Sequence, residues 1–329
     1  VDGNQFVKDN MNVLALSVYR RPELVKIYFD QLLKDKEELS KYLVHLFLDS
    51  GFHPDIYKVI SWFRQHHRFI KITIRTPEES KKSPLPAFFN IMDSYRAASE
   101  EASEFVVIGE EDIIPTSDYL RFNRICYEQF LSKYDRLFCI CHKRRPETEL
   151  VGDPSILIGD YQITSPSCIS VKVIKQYILP RISNGIFYAD PIKYNQTLFT
   201  TSKNKPDTHI HHDGQIERIA ELENMFSLKP DQARSMHVGV GGQHDIGSEF
   251  KIEGTLDQKV TKYYDLIKLG SSELRKYVTN FKEDIVVAPL DIDYTNKYIL
   301  DINRNQAKAS SWHYDKENEF RKYINSNIK

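Results

Sequence analysis

The chain is poor in cysteine, tryptophan and methionine, with 4, 2 and 4 of them in 329 residues. Cys126, Cys139, Cys141 and Cys168 form no CxxC and no paired metal spacing, which excludes a zinc ribbon and leaves no disulfide framework. The Cys139/Cys141 spacing is that of a strand and predicts buried thiols on one face. No run of about 18 apolar residues is present, so no transmembrane helix is expected, and no charged-then-apolar leader opens the chain. Neither charge dominates: 45 Lys and Arg stand against 46 Asp and Glu, a formal net charge of −1, which gives no general electrostatic drive toward nucleic acid. No internal repeat or low-complexity block interrupts it. These absences lead to the expectation of a soluble, cytoplasmic protein, with nucleic acid disfavoured as a partner. The start at Val1 leaves room for a leader or anchor upstream.

What is present is ordinary for a folded globular protein, 41% hydrophobic and 28% charged. At about 150 residues per domain the length allows about two units. The first half alternates. Asn12 to Val18 reads as a strand and Pro22 to Lys34 as a helix, with proline in the first turn where helices tolerate it. Tyr42 to Leu48 reads as a strand ending in Asp49-Ser50-Gly51. A helix is expected around Pro54 to Gln65, a strand at Phe69 to Ile74, a loop over Thr76 to Pro86 and a helix from about Ala87 to Glu101. Such alternation predicts a mostly parallel sheet covered on both faces.

The most telling stretch follows, Phe105-Val-Val-Ile-Gly-Glu-Glu-Asp112. A buried apolar strand delivers three carboxylates together, at the strand end where open α/β sheets bind ligands. Clustered oxygen ligands there suit a hard divalent cation such as Mg or Mn, and a phosphorylated substrate. The alternative is a solvated loop or the first turn of a following helix, where acids favour the helix dipole. Asp49 is expected on the same rim.

The middle is less regular. Leu137 to Ile140 and Cys168 to Val171 read as strands, Val173 to Pro180 as a short helix and Asn184 to Pro206 as a surface loop. Thr208-His-Ile-His-His-Asp-Gly214 leads into a helix at about Gln215 to Met225. Ser235-Met-His-Val-Gly-Val-Gly-Gly-Gln-His244 holds three glycines between two histidines. GVGG is neither GxGxxG after a strand nor GxxxxGK[ST], which argues against a dinucleotide fold or a P-loop. Three chemistries compete for these residues: phosphate cradling by the glycines, a metallohydrolase built on His209, His211 and Asp213 in an HxHxD pattern, and a cleft in which the acidic triplet holds a metal–diphosphate while Asp213 acts as general base.

In the order and spacing of its motifs over roughly residues 12 to 250, the chain resembles the GT-A class of nucleotide-sugar glycosyltransferases, closest to the N-acetylglucosaminyltransferase I type. LALSVYRRPELVKIYFDQLL resembles the first nucleotide-binding unit, LFLDSG the second strand, FVVIGEEDIIPTSDYLRF the strand with a DXD-type motif, HHDGQIER the segment that carries the base, and ARSMHVGVGGQHDIGSEF the segment that closes over the donor. Gly214 departs from the aromatic residue expected after the base.

The resemblance implies a GT-A-like, Rossmann-like mixed and mostly parallel sheet flanked by helices. It places a catalytic domain over 1–250, with a nucleotide-binding half at about 10–115 and an acceptor half at about 116–250, and a helical C-terminal extension over 251–329. It implies inverting transfer of glucose or N-acetylglucosamine from a UDP-sugar, with Mn2+ or Mg2+, to a hydroxyl on a carbohydrate or glycoconjugate. Asp213 would be the base and Asp112 the metal ligand. Tyr19, Arg20, Arg21, Asp49, Ser83, Glu110, Glu111 and Arg234 would contact the donor, with Asp49 at the uridine and Glu110 and Glu111 near the ribose and metal waters. His237 either completes the metal shell or is a loop histidine bonded to backbone. His211 and His212 shape the acceptor pocket or orient Asp213. A modified base in DNA is a further acceptor class within the same chemistry.

Overall fold

The computed structural model describes residues 11–83, 86–142, 153, 155–160, 163, 166–190, 193–194, 212–237, 253–269, 299–301, 322–323 and 326. In chain order its main elements are β1 (Asn12–Val18), α1 (Pro22–Leu32), β2 (Tyr42–Leu48), α2 (Ile56–Arg64), β3 (Ile70–Ile74), α3 (Pro86–Ser99), β4 (Phe105–Glu110), β5 (Ile113–Pro115) and α4 (Tyr119–Cys126). There follow β6 (Leu137–Cys141), β7 (Ile156–Asp160), β8 (Pro166–Ser170), a helical stretch over 171–182, α5 (His212–Leu222), β9 (Phe226–Pro230), β10 (Ser235–His237), α6 (Leu256–Leu269) and β11 (Ile299–Asp301).

Among the described residues one sheet of nine strands runs in the order β11-β7-β9-β6-β8-β4-β1-β2-β3, and β5 and β10 form a separate two-stranded ribbon. β1 lies parallel to both β2 and β4, and β2 parallel to β3, while β8 runs antiparallel between β4 and β6. The sheet is therefore mixed and mostly parallel, with helices on both faces. The apolar run of β1 follows from this double covering, because a strand buried on both faces has no reason to alternate polar and apolar residues. Leu14, Leu16 and Val18 enter one core with Leu24, Ile27 and Tyr28 of α1. Val13 and Ala15 enter the other with Met92 and Tyr95 of α3 and Ile216 and Ile219 of α5. Cys139 and Cys141 are both buried thiols.

β2 and β3 lie on one side of β1 and β4 on the other. The chain thus reverses its direction of travel across the sheet between β1 and β4, and such a reversal, at the carboxyl ends of the strands, is the usual ligand position in open α/β sheets.

Several local expectations are corrected. The stretch after Thr76 is not a plain loop: Pro77–Ser80 is a helical turn closed by a capping box, with Thr76 Oγ1 accepting from Glu79 N at 3.2 Å and Glu79 Oε2 accepting from Thr76 N at 2.9 Å. The helix expected at Gln215 begins at His212. The acidic triplet is followed by the short strand β5, not by the first turn of a helix. The C-terminal region contributes more than helix, since β11 pairs parallel to β7 at the edge of the main sheet.

Gly109 has a packing reason of its own. A Cβ there would lie 2.5 Å from Tyr28 Oη and 3.1 Å from Leu16 Cδ1. Tyr28 is 1% exposed, and its hydroxyl has no hydrogen-bond partner among the described residues. Gly109→Ala is expected to destabilise by about 1–3 kcal/mol through overpacking. Urea denaturation checks this, and adding Tyr28→Phe, which removes the clashing oxygen, is expected to restore most of the loss.

Candidate functional site

The candidate site is built from the carboxyl ends of adjacent parallel strands. β1 ends at Val18, and Asp49 N, just past β2, donates to Val18 O at 3.0 Å. Glu111 N, just past β4, donates to Ser17 O at 3.1 Å. Tyr19–Arg21, Asp49 and Glu110–Asp112 therefore leave the sheet at one rim, although Tyr19 and Glu111 are 92 residues apart in sequence.

Glu111 ties two of these segments together. Its Oε2 accepts from Tyr19 N at 2.6 Å, and its Oε1 accepts from Arg20 N at 3.3 Å and Arg21 Nε at 2.7 Å. The side chain is only 5% exposed, so this carboxylate faces the loop between β1 and α1 and holds it in shape. Arg21 continues the tie, with Nη2 3.0 Å from Asp112 Oδ2. Burial works to lower the Arg21 pKa, but the Asp112 and Glu111 carboxylates outweigh it and raise it above its ordinary range. Arg21 Nη1 is buried and has no hydrogen-bond partner among the described residues.

Asp49 is 5% exposed. Its Oδ1 accepts from Ser50 N at 2.7 Å and from Ser80 Oγ at 2.8 Å, while Oδ2 makes no hydrogen bond to a described residue. Ser80 reaches it because the capped turn at Pro77–Ser80 sets the serine at its end. That serine was not among the expected site residues, although the TPEES capping pattern was there to be read. Gly51 holds φ at +75°, a left-handed conformation suited to glycine, and its carbonyl accepts from Arg20 Nε at 3.2 Å. Arg20 also stacks its guanidinium over the Tyr19 ring at 4.6 Å. Ser83 is buried just beyond the capped turn.

Two further segments reach the same rim from later in the sequence. His212, the first residue of α5, places Nε2 3.2 Å from Glu110 Oε1. Asp213 is the second residue of that helix; its side chain lies outside the described residues. β10 pairs antiparallel with β5 so that Ser235 stands opposite Pro115, Met236 opposite Ile114 and His237 opposite Ile113. The backbone of His237 is thus brought beside the residue that follows Asp112. His209, His211, His244 and the GVGG segment lie outside the described residues.

Arg234 corrects an expectation about the donor contacts. It is 0% exposed, with Nε 3.0 Å from Asp118 Oδ2 and Nη1 donating to Gln232 O at 2.8 Å. This guanidinium is enclosed in the protein interior over the Phe122 ring and presents no surface to a diphosphate. Its backbone carbonyl accepts from Thr116 N at 3.0 Å and Thr116 Oγ1 at 3.1 Å, so the residue braces the β5/β10 ribbon from behind.

No family model and no curated protein matches this sequence. Among solved structures, the crystal structure of S. aureus TarS 1-349 is similar, with 11% sequence identity and a TM-score of 0.42 over 68% of this chain and 59% of that chain. At that distance the likeness carries no argument about the site, which stands on its own geometry.

Among the described residues no group of three or more His, Cys, Asp or Glu side chains is gathered to hold a metal ion. What the rim offers is Asp112, 16% exposed, and Glu110, 25% exposed. That donor set fits a Mg-type ion held by one or two carboxylates with substrate phosphates completing its shell. No helix among the described residues is long and apolar enough to cross a membrane.

Proposed function

We propose that this chain is a metal-dependent, inverting glycosyltransferase that moves glucose or N-acetylglucosamine from a UDP-sugar to a hydroxyl of a glycan or glycoconjugate. One observation carries the reading: the loop after β1, the Asp49 turn after β2, the acids after β4, the start of α5 and the end of β10 meet at the β1/β4 reversal, cross-tied by Glu111, Arg21 and the His212–Glu110 pair. A nucleotide crevice flanked by carboxylates and joined to an acid-bearing helix is what transfer from a nucleoside diphosphate requires.

In this reading each residue has a chemical task. Asp49 keeps Oδ2 available to accept from the N3–H of uracil, while Ser50 and Ser80 hold the other oxygen. Tyr19 and Arg20 flank the nucleoside, and Arg21 contacts the diphosphate as a bidentate donor. Asp112, with Glu110 beside it and His237 on the adjoining strand, holds the divalent ion, which when bound neutralises charge developing on the leaving diphosphate. Asp213 removes the acceptor hydroxyl's proton as the hydroxyl attacks the anomeric carbon, and inversion follows if the acceptor approaches the face opposite the diphosphate. Glu111 acts at one remove by shaping the loop that carries Tyr19, Arg20 and Arg21.

Calorimetric titration of UDP into the protein, with Mn2+ and then with EDTA, tests this. The expected result is micromolar binding that disappears with EDTA, followed by Mn-dependent turnover of UDP-glucose or UDP-N-acetylglucosamine. Absence of UDP binding in both conditions sinks the proposal.

A further inference from the structure

Arg21 sits between the two functions that the proposed reaction assigns to this rim, metal binding and diphosphate binding, and it pairs with a carboxylate on each side of it, Glu111 and Asp112. Its three guanidinium nitrogens have different fates: Nε is fixed to Glu111 at 2.7 Å, Nη2 lies 3.0 Å from Asp112 Oδ2, and Nη1 is buried with no hydrogen-bond partner among the described residues. The carboxylate expected to hold the cation is thus already neutralised by a fixed positive charge. A divalent ion arriving alone must compete with that charge for the same oxygens. A diphosphate offers the guanidinium a better partner, because phosphate oxygens match its planar fork and can also satisfy Nη1.

Resting on the glycosyltransferase reading, we propose that Arg21 makes metal binding conditional on the nucleotide. Its guanidinium holds Asp112 while the crevice is empty and passes to the donor's diphosphate when the nucleotide arrives, freeing Asp112 for the ion. Glu111 is the pivot, keeping Nε in place through the exchange. No bond is made or broken; one ion pair is exchanged for another, and the carboxylate released by the guanidinium is taken by the cation. Metal and nucleotide then each tighten the other's binding by the same factor, as linkage requires. Free metal does not fill the site unproductively.

The test is calorimetric titration of Mn2+ into the full chain, alone and with saturating UDP, for wild type, Arg21→Gln, Arg21→Lys and Arg21→Gln with Asp112→Asn. Removing the competing cation is expected to tighten Mn2+ binding to the nucleotide-free protein by about tenfold in Arg21→Gln, and to shrink the factor by which UDP tightens Mn2+ by a similar amount. UDP binding in the presence of Mn2+ is expected to weaken. These opposite signs separate the proposal from a purely structural role, which would weaken both ligands together. Arg21→Lys lacks the fork to hold Glu111 and Asp112 at once, so it is expected to shift in the same direction by less, and it decides the matter if a thermal melt shows that Arg21→Gln does not fold. Loss of the Mn2+ signal in the double variant is expected; its persistence overturns the assignment of Asp112. Wild type that shows Mn-dependent UDP binding, with Arg21 variants that bind Mn2+ no more tightly than it does, overturns this inference and leaves the glycosyltransferase reading standing. Wild type that binds neither ligand overturns both.

Discussion

Asp213→Asn is expected to lower transfer to an acceptor by about 10²–10⁴-fold, the usual contribution of a positioned general base, while Mn-dependent UDP affinity stays close to that of wild type. Asparagine keeps the size and hydrogen-bonding shape of the side chain and removes only its capacity to take a proton. The backbone around it is well anchored, because His212 pairs with Glu110 across the crevice and Ile216 and Ile219 seat α5 in the core. Steady-state kinetics against acceptor, with calorimetry for UDP, reads the two effects separately. A variant that transfers at the wild-type rate moves the base to another group, and one that loses UDP binding as well assigns Asp213 to the donor site.

The second large effect is on stability and comes from the interior. Arg234 and Asp118 are both 0% exposed and lie 3.0 Å apart. Arg234→Met removes one partner and leaves the other buried, which is expected to cost about 3–5 kcal/mol by urea denaturation. Burial pushes the Asp118 carboxyl above its ordinary range, against the pull of Arg234 and the hydrogen bond from Thr116. Without Arg234 the folded-state pKa rises further above the unfolded one, so the folded variant binds the proton more tightly than the unfolded chain does. Its deficit is therefore smallest at acidic pH, where Asp118 is protonated in both states. Because the two unfolded chains titrate alike, the deficit grows as pH rises through the wild-type folded-state value, itself above the ordinary carboxylate range, and levels off above the still higher value of the variant. Adding Asp118→Asn is expected to recover much of the loss and to flatten that pH dependence. A deficit that does not change with pH would mean that lost packing, not a stranded charge, is responsible. Because Arg234 O and Thr116 join β10 to the turn after β5, the same variant is expected to weaken metal-dependent UDP binding.

The alternation of strands and helices in the first half was legible because it depends on local periodicity and punctuation. Asn12–Val18, Tyr42–Leu48 and the acidic end of Phe105–Glu110 follow from apolar runs that stop at polar turns. Once those strands are parallel, elementary topology brings their carboxyl ends, and with them Asp49 and the acids, to one rim. Other elements carried weaker local signals. β9 ends on Lys229 and Pro230 and β10 is three residues long, so neither displays a period of its own, and both are held by pairing with β6, β7 and β5. The start of α5 was missed by three residues because histidine and aspartate in a first turn look like the loop that precedes a helix.

What the sequence determined by itself is the class of fold and the kinds of group gathered at the rim, since both depend on residue type and on spacing along the chain. What only the tertiary structure decided is which partner each charged group takes. Three consecutive acids go separate ways: Glu110 to His212, Glu111 to the loop carrying Tyr19, Arg20 and Arg21, and Asp112 to the Arg21 guanidinium. Arg234, which looks like an open cation in a glycine-rich segment, is enclosed against Asp118. The reason is physical: an ion pair is set by through-space distance and by the burial of both members, and neither quantity exists until segments about ninety residues or more apart in sequence are packed side by side.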